Sequence, residues 1–219
     1  MMGPANQREV TIIATGVANT ASVAAALRRC GAVTELTVDR DRVRTAEHLI
    51  LPGVGSFAAG MACLREHDLS AVLRERVQSG RPTLAICLGM QLLFAESEES
   101  PGVKGLGIVD DVVRRFGDEV RIPQFGWNRV EAGDGCRLLE SGWAYFANSY
   151  RAERGPDDWS CATADHGGTF IAAMERGGLL ACQFHPELSG PWGLSLVRRW
   201  SNAGRSDPSD TQAAGEARC

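Results

Sequence analysis

Short apolar segments alternate with segments of helical periodicity through the first half of the chain. Residues 10–15 form a β-branched run typical of a buried strand. From residue 20 to residue 30 apolar positions recur at helical spacing, and Gly31 supplies a stop. The same criteria predict further strands at 33–38, 47–51 and 83–87 and helices around 69–77 and over 90–97. This alternation predicts an α/β fold with a mostly parallel central sheet and helices on both faces.

After residue 105 the pattern changes to short strands separated by turn residues. We predict strands at 107–113, 127–130, 143–147, 159–164, 169–174 and 179–184 and a last helix at about 193–201. Consecutive strands of this kind indicate antiparallel ribbons added to the parallel core. We therefore expect one domain over residues 1–201 and, since 202–219 has no apolar period, a disordered tail after it.

Composition excludes several classes of function. The 219 residues carry a net charge of −4 with no block of basic residues, which argues against sequence-independent binding to nucleic acid. We expect no membrane span, because no apolar run is long enough, and no secretion signal at the N-terminus. Seven irregularly spaced cysteines do not resemble a disulfide framework, so we expect a reducing cytoplasmic location.

Cys87 ends an apolar strand and is followed two residues later by a glycine. This is the layout of a nucleophile elbow with a thiol in place of a hydroxyl, at the sheet edge where α/β folds place their sites. A nearby helix N-terminus would favour the thiolate. The alternative is a buried cysteine that only packs in the core.

A candidate base lies in the segment A-C-Q-F-H-P-E near the C-terminus. His185 and Glu187 are two residues apart on an expected extended segment, so they project to the same side. One side chain can then orient the other, as the base of an activated thiol requires. The segment P-G-V-G at 52–55 follows a strand and could turn backbone N–H groups inward, as an oxyanion hole needs.

Together these segments resemble the class I, triad-type glutamine amidotransferase family. The motifs are PGVGSF, ICLGMQLLF and FHPE, over about residues 10–200. The further stretches SEESPGVKGLG, FGWNRV and YFANSYR resemble one branch, the glutaminase subunits of imidazole glycerol phosphate synthase. The resemblance implies the flavodoxin-like three-layer fold of that family.

The resemblance also implies roles for individual residues. Cys87 matches the nucleophile that forms a glutamyl thioester, His185 the base and Glu187 its orienter. The backbone N–H of Leu88 matches one oxyanion donor and the peptide of Val54 and Gly55 the other, which in this branch needs reorientation. The positions that match glutamine-binding residues are Gln91, Glu99, Ser149 and Tyr150. Gln91 also lies one helical turn beyond Cys87, on the same face.

The implied partner is a (β/α)₈-barrel cyclase subunit, bound as a heterodimer. It would take the ammonia and make imidazole glycerol phosphate and aminoimidazole carboxamide ribotide in histidine biosynthesis. Asn19, Trp127 and Asn128 match positions that face or support this interface. For Trp127 the alternative is ordinary packing in the core.

Two other functions stay open at this point. A related glutaminase could feed a different acceptor, for example in sugar amidination, because Leu188 replaces the basic residue that usually follows HPE and the first loop is altered. A non-glutaminase protein with a cysteine elbow is the second. Neither Cys63 with His67 nor Cys182 with His185 has further ligands at metal spacing, so we expect no metal. The glycine-rich motifs G-x-x-x-x-G-K-[ST] and G-x-G-x-x-G of nucleotide-binding loops do not occur, and we expect no cofactor.

Overall fold

The computed structural model describes residues 8–15 and 20–203. The strands are β1 (Arg8–Ile13), β2 (Ala32–Thr37), β3 (His48–Leu51), β4 (Thr83–Ile86), β5 (Phe94–Ser97), β6 (Val109–Arg115), β7 (Gln124–Ala132), β8 (Gly142–Asn148), β9 (Tyr150–Arg151), β10 (Ser160–Asp165), β11 (Thr169–Arg176) and β12 (Leu179–Cys182). The α-helices are α1 (Thr20–Arg29), α2 (Arg40–Thr45), α3 (Phe57–Glu66), α4 (Leu69–Gln78), α5 (Leu88–Gln91) and α6 (Gly190–Asn202), with a 3₁₀ turn at Pro186–Leu188.

Nine strands form one mixed sheet in the order β2-β1-β3-β4-β12-β11-β10-β7-β8. The first five are parallel to one another, and the remaining four continue the sheet as antiparallel neighbours. A small second sheet has the order β5-β6-β9. The predicted α/β class is confirmed. Antiparallel ribbons are confirmed in the C-terminal half. Two of its strands also have a parallel neighbour, since β12 pairs with β4 and β6 pairs with β5.

The central strands bury side chains on both faces, as strands of a covered parallel sheet do. One apolar cluster contains Ile12, Ile50 and Leu84 and includes buried residues of α1 and α6. A second contains Leu49 and Ala85 of the same strands together with buried residues of α2, α3 and α4. Alternate positions of one strand thus belong to different clusters, which is the period of two that places helices on both faces.

The helix predicted over residues 90–97 is wrong. The helix α5 ends at Gln91, and Phe94–Ser97 is a strand. Carbonyl groups of residues 92–95 accept hydrogen bonds from amides of residues 105–108 instead of from the next helical turn. Gly105 permits this approach, since a side chain there would collide with the Phe94 carbonyl. Tertiary pairing therefore overrides the helical propensity of the segment.

The sequence analysis gives no bounds for two helices, α2 and α3. The six residues of α2 bury only Val43, too few to show a period. The helix α3 does carry a signal, because Phe57, Gly60, Met61 and Leu64 are buried at helical spacing and Ser56 caps its N-terminus.

The expected domain limit at residue 201 stays a prediction, and residues 204–219 of the expected tail lie outside the described residues. Within the described residues, no helix is long and apolar enough to cross a membrane.

Arg76 is fully buried in α4 and binds backbone carbonyl groups rather than a carboxylate. Its guanidinium donates to three carbonyls of residues 43–46 at 2.9–3.2 Å and to that of Pro82 at 2.9 Å. Arg81 donates to the same run of carbonyls. Burial and the neighbouring Arg81 lower the pKa of Arg76 to about 10, so it remains charged at neutral pH. The two arginines satisfy the carbonyl groups at the end of α2.

Arg76→Lys should lower the free energy of unfolding by roughly 2–4 kcal/mol, because an ammonium cannot reach these carbonyls together and leaves some unpaired. Urea unfolding followed by circular dichroism measures the change. Arg28→Lys, on the exposed side of α1, is the matched control and should change the value by less than about 0.5 kcal/mol. Equal stability of the two variants would contradict this role of Arg76.

Candidate active site

Cys87 occupies a strained elbow between β4 and α5. Its backbone has φ 53° and ψ −111°, a conformation that costs a non-glycine residue roughly 1–3 kcal/mol. The Cys87 amide donates to the Cys182 carbonyl at 2.7 Å, and the amide of Met90 donates to the Cys87 carbonyl at 3.0 Å. Gly89 is required next to the elbow, because a Cβ there would collide with the Leu51 carbonyl. These contacts hold the thiol at the carboxyl end of the sheet.

His185 reaches the same end from the neighbouring strand. The parallel pairing of β4 with β12 aligns Ile86 with Cys182, so the segment that follows β12 runs beside Cys87. The His185 amide donates to the Tyr145 carbonyl at 2.9 Å, which anchors this segment to β8. The ring Nδ1 lies 2.9 Å from Glu187 Oε1, and only 3% of the Glu187 side chain is exposed. The carboxylate thus fixes the orientation of the imidazole.

The electrostatics of this group favour a protonated imidazole. Burial disfavours the charged ring, but hydrogen bonds and charges of Cys87 and Glu187 outweigh burial and raise the pKa of His185 to about 10. At neutral pH His185 therefore carries a proton beside the sulfur. A thiolate can attack as a nucleophile, and an adjacent imidazolium can then donate its proton to the group that leaves the substrate.

A pocket of about 320 Å³ opens onto the thiol. This volume lies within the range of roughly 300–1,000 Å³ that small-molecule sites occupy. Its lining is Val54, Gly55, Cys87, Leu88, Gln91, Glu99, Ala147, Asn148, Ser149, Tyr150 and His185. The structure thus brings together the candidate nucleophile, base, oxyanion segment and substrate-binding residues, with Glu187 behind His185.

The oxyanion segment is closed in this structure. The Leu88 amide donates to the Gly53 carbonyl at 3.3 Å. The peptide that faces Leu88 is therefore Gly53–Val54, one residue before the Val54–Gly55 peptide of the sequence interpretation. Because C=O and N–H of a trans peptide point in opposite directions, the Val54 amide points away from Leu88 in this arrangement. Rotation of this one peptide would release the Leu88 amide and turn the Val54 amide inward.

Glu99 connects the pocket to α3. One of its carboxylate oxygens accepts from the Phe57 amide at 2.6 Å, at the first residue of that helix. Ser100 accepts from the Ala58 amide at 3.2 Å. A carboxylate at a helix N-terminus is favoured by the helix dipole. The loop after β5 and the oxyanion segment before α3 are thereby held together on one side of the pocket.

Gln183 was missed by the sequence analysis. Its side chain is fully buried, and Nε2 donates to Cys87 Sγ at 3.6 Å. A signal was present, since Gln183 lies two residues before His185 on an extended segment and so projects to the same side.

Two of the residues assigned to a partner interface, Trp127 and Asn128, lie on β7 and do not line the thiol pocket. Trp127 is 55% exposed, which excludes the alternative of core packing. Asn128 is half-buried and donates to the Asp165 carbonyl at 2.7 Å, so it supports the end of β10. Asn19 lies outside the described residues.

A second cavity, of about 530 Å³, is larger but carries no nucleophile. It lies beside β6 and is lined by Asp110, Asp111, Arg114 and residues 153–157, among others. Arg114 pairs with Asp111 at 3.2 Å and approaches Glu153 at 4.0 Å, so these three charged side chains of the cavity pair with one another. Among the described residues no three His, Cys, Asp or Glu side chains gather as a metal site would require.

Comparison with known proteins agrees with this arrangement. Residues 11–200 match the profile of the class-I glutamine amidotransferases. The imidazole glycerol phosphate synthase subunit HisH of Symbiobacterium thermophilum is 40% identical over 195 residues, which cover 87% of this chain and 92% of that protein. The chloroplastic imidazole glycerol phosphate synthase hisHF of Arabidopsis thaliana is 39% identical over 199 residues, and the match spans a third (33%) of its length. A solved structure titled "Crystal structure of glutamine amidotransferase" superposes with a TM-score of 0.70 at 23% identity, covering 88% of this chain and 96% of its own, which shows the fold.

Glu187→Gln should lower the pKa of His185 by roughly one to three units, because an opposite charge at hydrogen-bond distance favours the imidazolium. Imidazole proton NMR over a pH titration measures this, with His185→Asn to assign the signal among the four histidines. Glu140→Gln is the control, since Glu140 pairs with Arg199 and not with His185. A titration midpoint that does not move in Glu187→Gln would contradict the assigned coupling.

Proposed function

Because this chain belongs to the class-I glutamine amidotransferases, among the HisH subunits of imidazole glycerol phosphate synthase, we propose that it hydrolyses L-glutamine to L-glutamate and ammonia. The ammonia supplies a partner cyclase subunit in histidine biosynthesis. The observation that carries this proposal is the pocket in which Cys87 meets the coupled His185 and Glu187.

The triad accounts for the chemistry without a cofactor. The Cys87 thiolate attacks the carboxamide carbon, and the oxygen of the tetrahedral intermediate takes the negative charge. His185 gives its proton to the amide nitrogen, so ammonia leaves and a glutamyl thioester remains. The neutral imidazole then takes a proton from water, and the resulting hydroxide attacks the thioester carbon. Collapse of this second intermediate expels the thiolate and releases glutamate, with Glu187 orienting the ring throughout.

The pocket supplies the remaining groups. The Gln91, Glu99, Ser149 and Tyr150 positions bind glutamine around the thiol, in agreement with their place in the lining. The Leu88 amide stabilises the oxyanion once the Gly53 carbonyl has moved away, and the Val54 amide joins it by the same peptide rotation. In the closed state neither donor is available, so the isolated protein has a weak oxyanion hole.

The partner is a (β/α)₈-barrel cyclase bound as a heterodimer. It takes the ammonia to form imidazole glycerol phosphate, with aminoimidazole carboxamide ribotide as the other product.

The docking surface is an aromatic platform on the outer face of β7 and β8, formed by Phe125, Trp127, Trp143 and Tyr145. Three of its rings are in edge contact, Phe125 with Tyr145 at 5.7 Å and Trp127 with Tyr145 at 6.2 Å. Such a cluster of exposed aromatic residues is typical of a protein interface.

The platform is connected to the catalytic turn through the backbone of Tyr145. The Tyr145 carbonyl accepts from the His185 amide, and its amide donates to Ser189 Oγ at 2.9 Å. Ser189 Oγ in turn donates to the His185 carbonyl at 2.6 Å. A partner on the platform therefore contacts the strand that anchors the backbone of His185.

Glutamate release measures the function directly. The purified protein should be slow alone and should accelerate by roughly 10²- to 10³-fold with a cyclase barrel and its phosphoribosyl ligand, because formation of the oxyanion hole is worth about that factor. Cys87→Ala should abolish release in both conditions while the fold and partner binding persist. Full activity that the barrel does not change would favour a different ammonia acceptor, and no activity in any mixture would contradict the function.

The double variant Phe125→Ser/Trp127→Ser tests the docking surface. Loss of two exposed aromatic anchors should weaken the complex at least about 30-fold and abolish stimulation, while the slow basal rate is retained. Isothermal titration calorimetry with the barrel measures the affinity. Leu36→Ser is the matched control, since Leu36 is equally apolar and 49% exposed but lies on β2 at the opposite edge of the sheet. Equal affinities of the two variants would place the interface elsewhere.

A further inference from the structure

Gln183 lies at the meeting point of the nucleophile and the substrate pocket. It follows β12 directly, and the register of β4 with β12 places it beside Cys87. The side chain is fully buried. Its Nε2 lies 3.6 Å from Cys87 Sγ, and its Oε1 accepts from Gln91 Nε2 at 2.8 Å. One amide thus contacts both the reacting sulfur and a candidate substrate-binding residue.

A backbone carbonyl sets the polarity of this chain of amides. The Tyr150 carbonyl can only accept, and it receives a hydrogen bond from Gln91 Nε2 at 3.3 Å. The NH₂ group of Gln91 therefore faces Tyr150 and Gln183, so Gln183 must present its oxygen to Gln91. The NH₂ group of Gln183 is then the end that faces the sulfur. Neither the Gln91 amide nor the Gln183 amide can rotate by 180° without placing two acceptors or two donors opposite each other.

The same polarity determines what Gln91 offers to a ligand. Both of its N–H bonds are used, one by Tyr150 and one by Gln183. Its carbonyl oxygen is left as the polar atom for the pocket that it lines. An acceptor there suits the N–H groups of an amino-acid ligand such as glutamine.

At the sulfur, an N–H donor favours the charged form over the neutral thiol. A hydrogen bond donated to an ion is stronger than one donated to a neutral group, and burial of Gln183 shields it from water. The other titratable side chains around the sulfur are His185 with Glu187 behind it, and Glu99 and Tyr150 across the pocket. Gln183 adds a neutral donor to this set.

We propose that Gln183 is a positioning residue with two effects: it stabilises the Cys87 thiolate through Nε2, and it fixes the Gln91 amide so that the Gln91 oxygen faces the substrate. The second effect rests on the proposed glutamine hydrolysis. The first does not, because it concerns only the sulfur.

Alkylation of Cys87 by iodoacetamide tests the effect on the thiolate. The modified Cys87 peptide is quantified by mass spectrometry as a function of pH, which separates it from the other cysteines. In Gln183→Met the pH of half-maximal alkylation should rise by roughly one unit, since a similar volume is kept but the donor is lost. Gln183→Asn, whose shorter amide cannot reach both neighbours, gives the same test if the methionine variant does not fold.

Gln124→Met is the matched control for removal of a buried amide. Gln124 is buried on β7, and its amide has no hydrogen-bond partner within the described chain. Its replacement should leave the alkylation profile of Cys87 where it is in the wild type. A folded Gln183→Met with a wild-type profile would overturn the proposal.

A double-mutant cycle tests the effect on Gln91. In the complex with the cyclase, Gln91→Met and Gln183→Met should each raise the KM for glutamine by about tenfold. The double variant should raise the KM little further, because both substitutions remove the same interaction, that of the Gln91 oxygen with the substrate. Only the Gln183 variants should also lower kcat. Increases in KM that multiply in the double variant would overturn the proposal. If the wild-type complex releases no glutamate, the proposed function fails, while the alkylation experiment still decides the role of Gln183 at the sulfur.

Discussion

The parallel pairing of β4 with β12 joins two segments that lie 96 residues apart at Cys87 and Gln183, and the meeting of Cys87 with Gln183 and His185 depends on it. The last registered pair is Ile86 with Cys182, and the Cys87 amide still donates to the Cys182 carbonyl at 2.7 Å. Beyond that bond the strands diverge, one into the elbow and the other toward His185. A parallel sheet requires this common edge, because parallel strands end on the same side.

The strained backbone of Cys87 and the hydrogen bond between the Leu88 amide and the Gly53 carbonyl occur together at this edge. Cys87 has a positive φ, and two contacts hold its backbone there: the hydrogen bond to β12 and the close approach of Gly89 to β3. The Leu88 amide, which would otherwise be a buried donor without a partner, is satisfied by the Gly53 carbonyl. In this arrangement the Leu88 amide is therefore paired. Rotation of the Gly53–Val54 peptide would cost that hydrogen bond.

Periodicity in the sequence predicts the sheet better than it predicts the segments that build the pocket. The strands β1 to β4 and the helices α1 and α4 follow from apolar patterns, because their side chains pack in the core. Residues 90–97 have the composition of a helix, yet long-range hydrogen bonds to residues 105–108 make part of the segment a strand. Cys87 and His185 could be paired from residue type and position alone. The spacing of Gln183 to His185 indicates only the side on which Gln183 projects. Its contact with Cys87 depends on the register between β4 and β12, which a pattern within one segment does not contain.

A neutral amide at position 183 satisfies constraints that a charged side chain would not. A cation beside the sulfur would favour the thiolate but would oppose the proton on His185, whose pKa is raised by the charges of Cys87 and Glu187. A carboxylate would oppose the thiolate itself. Glutamine adds no charge, and it donates to the sulfur with one end of its amide while it accepts from Gln91 with the other. The polarity of both contacts follows from the Tyr150 carbonyl, so the group that faces the sulfur and the atom that Gln91 leaves to the pocket depend on the same backbone group.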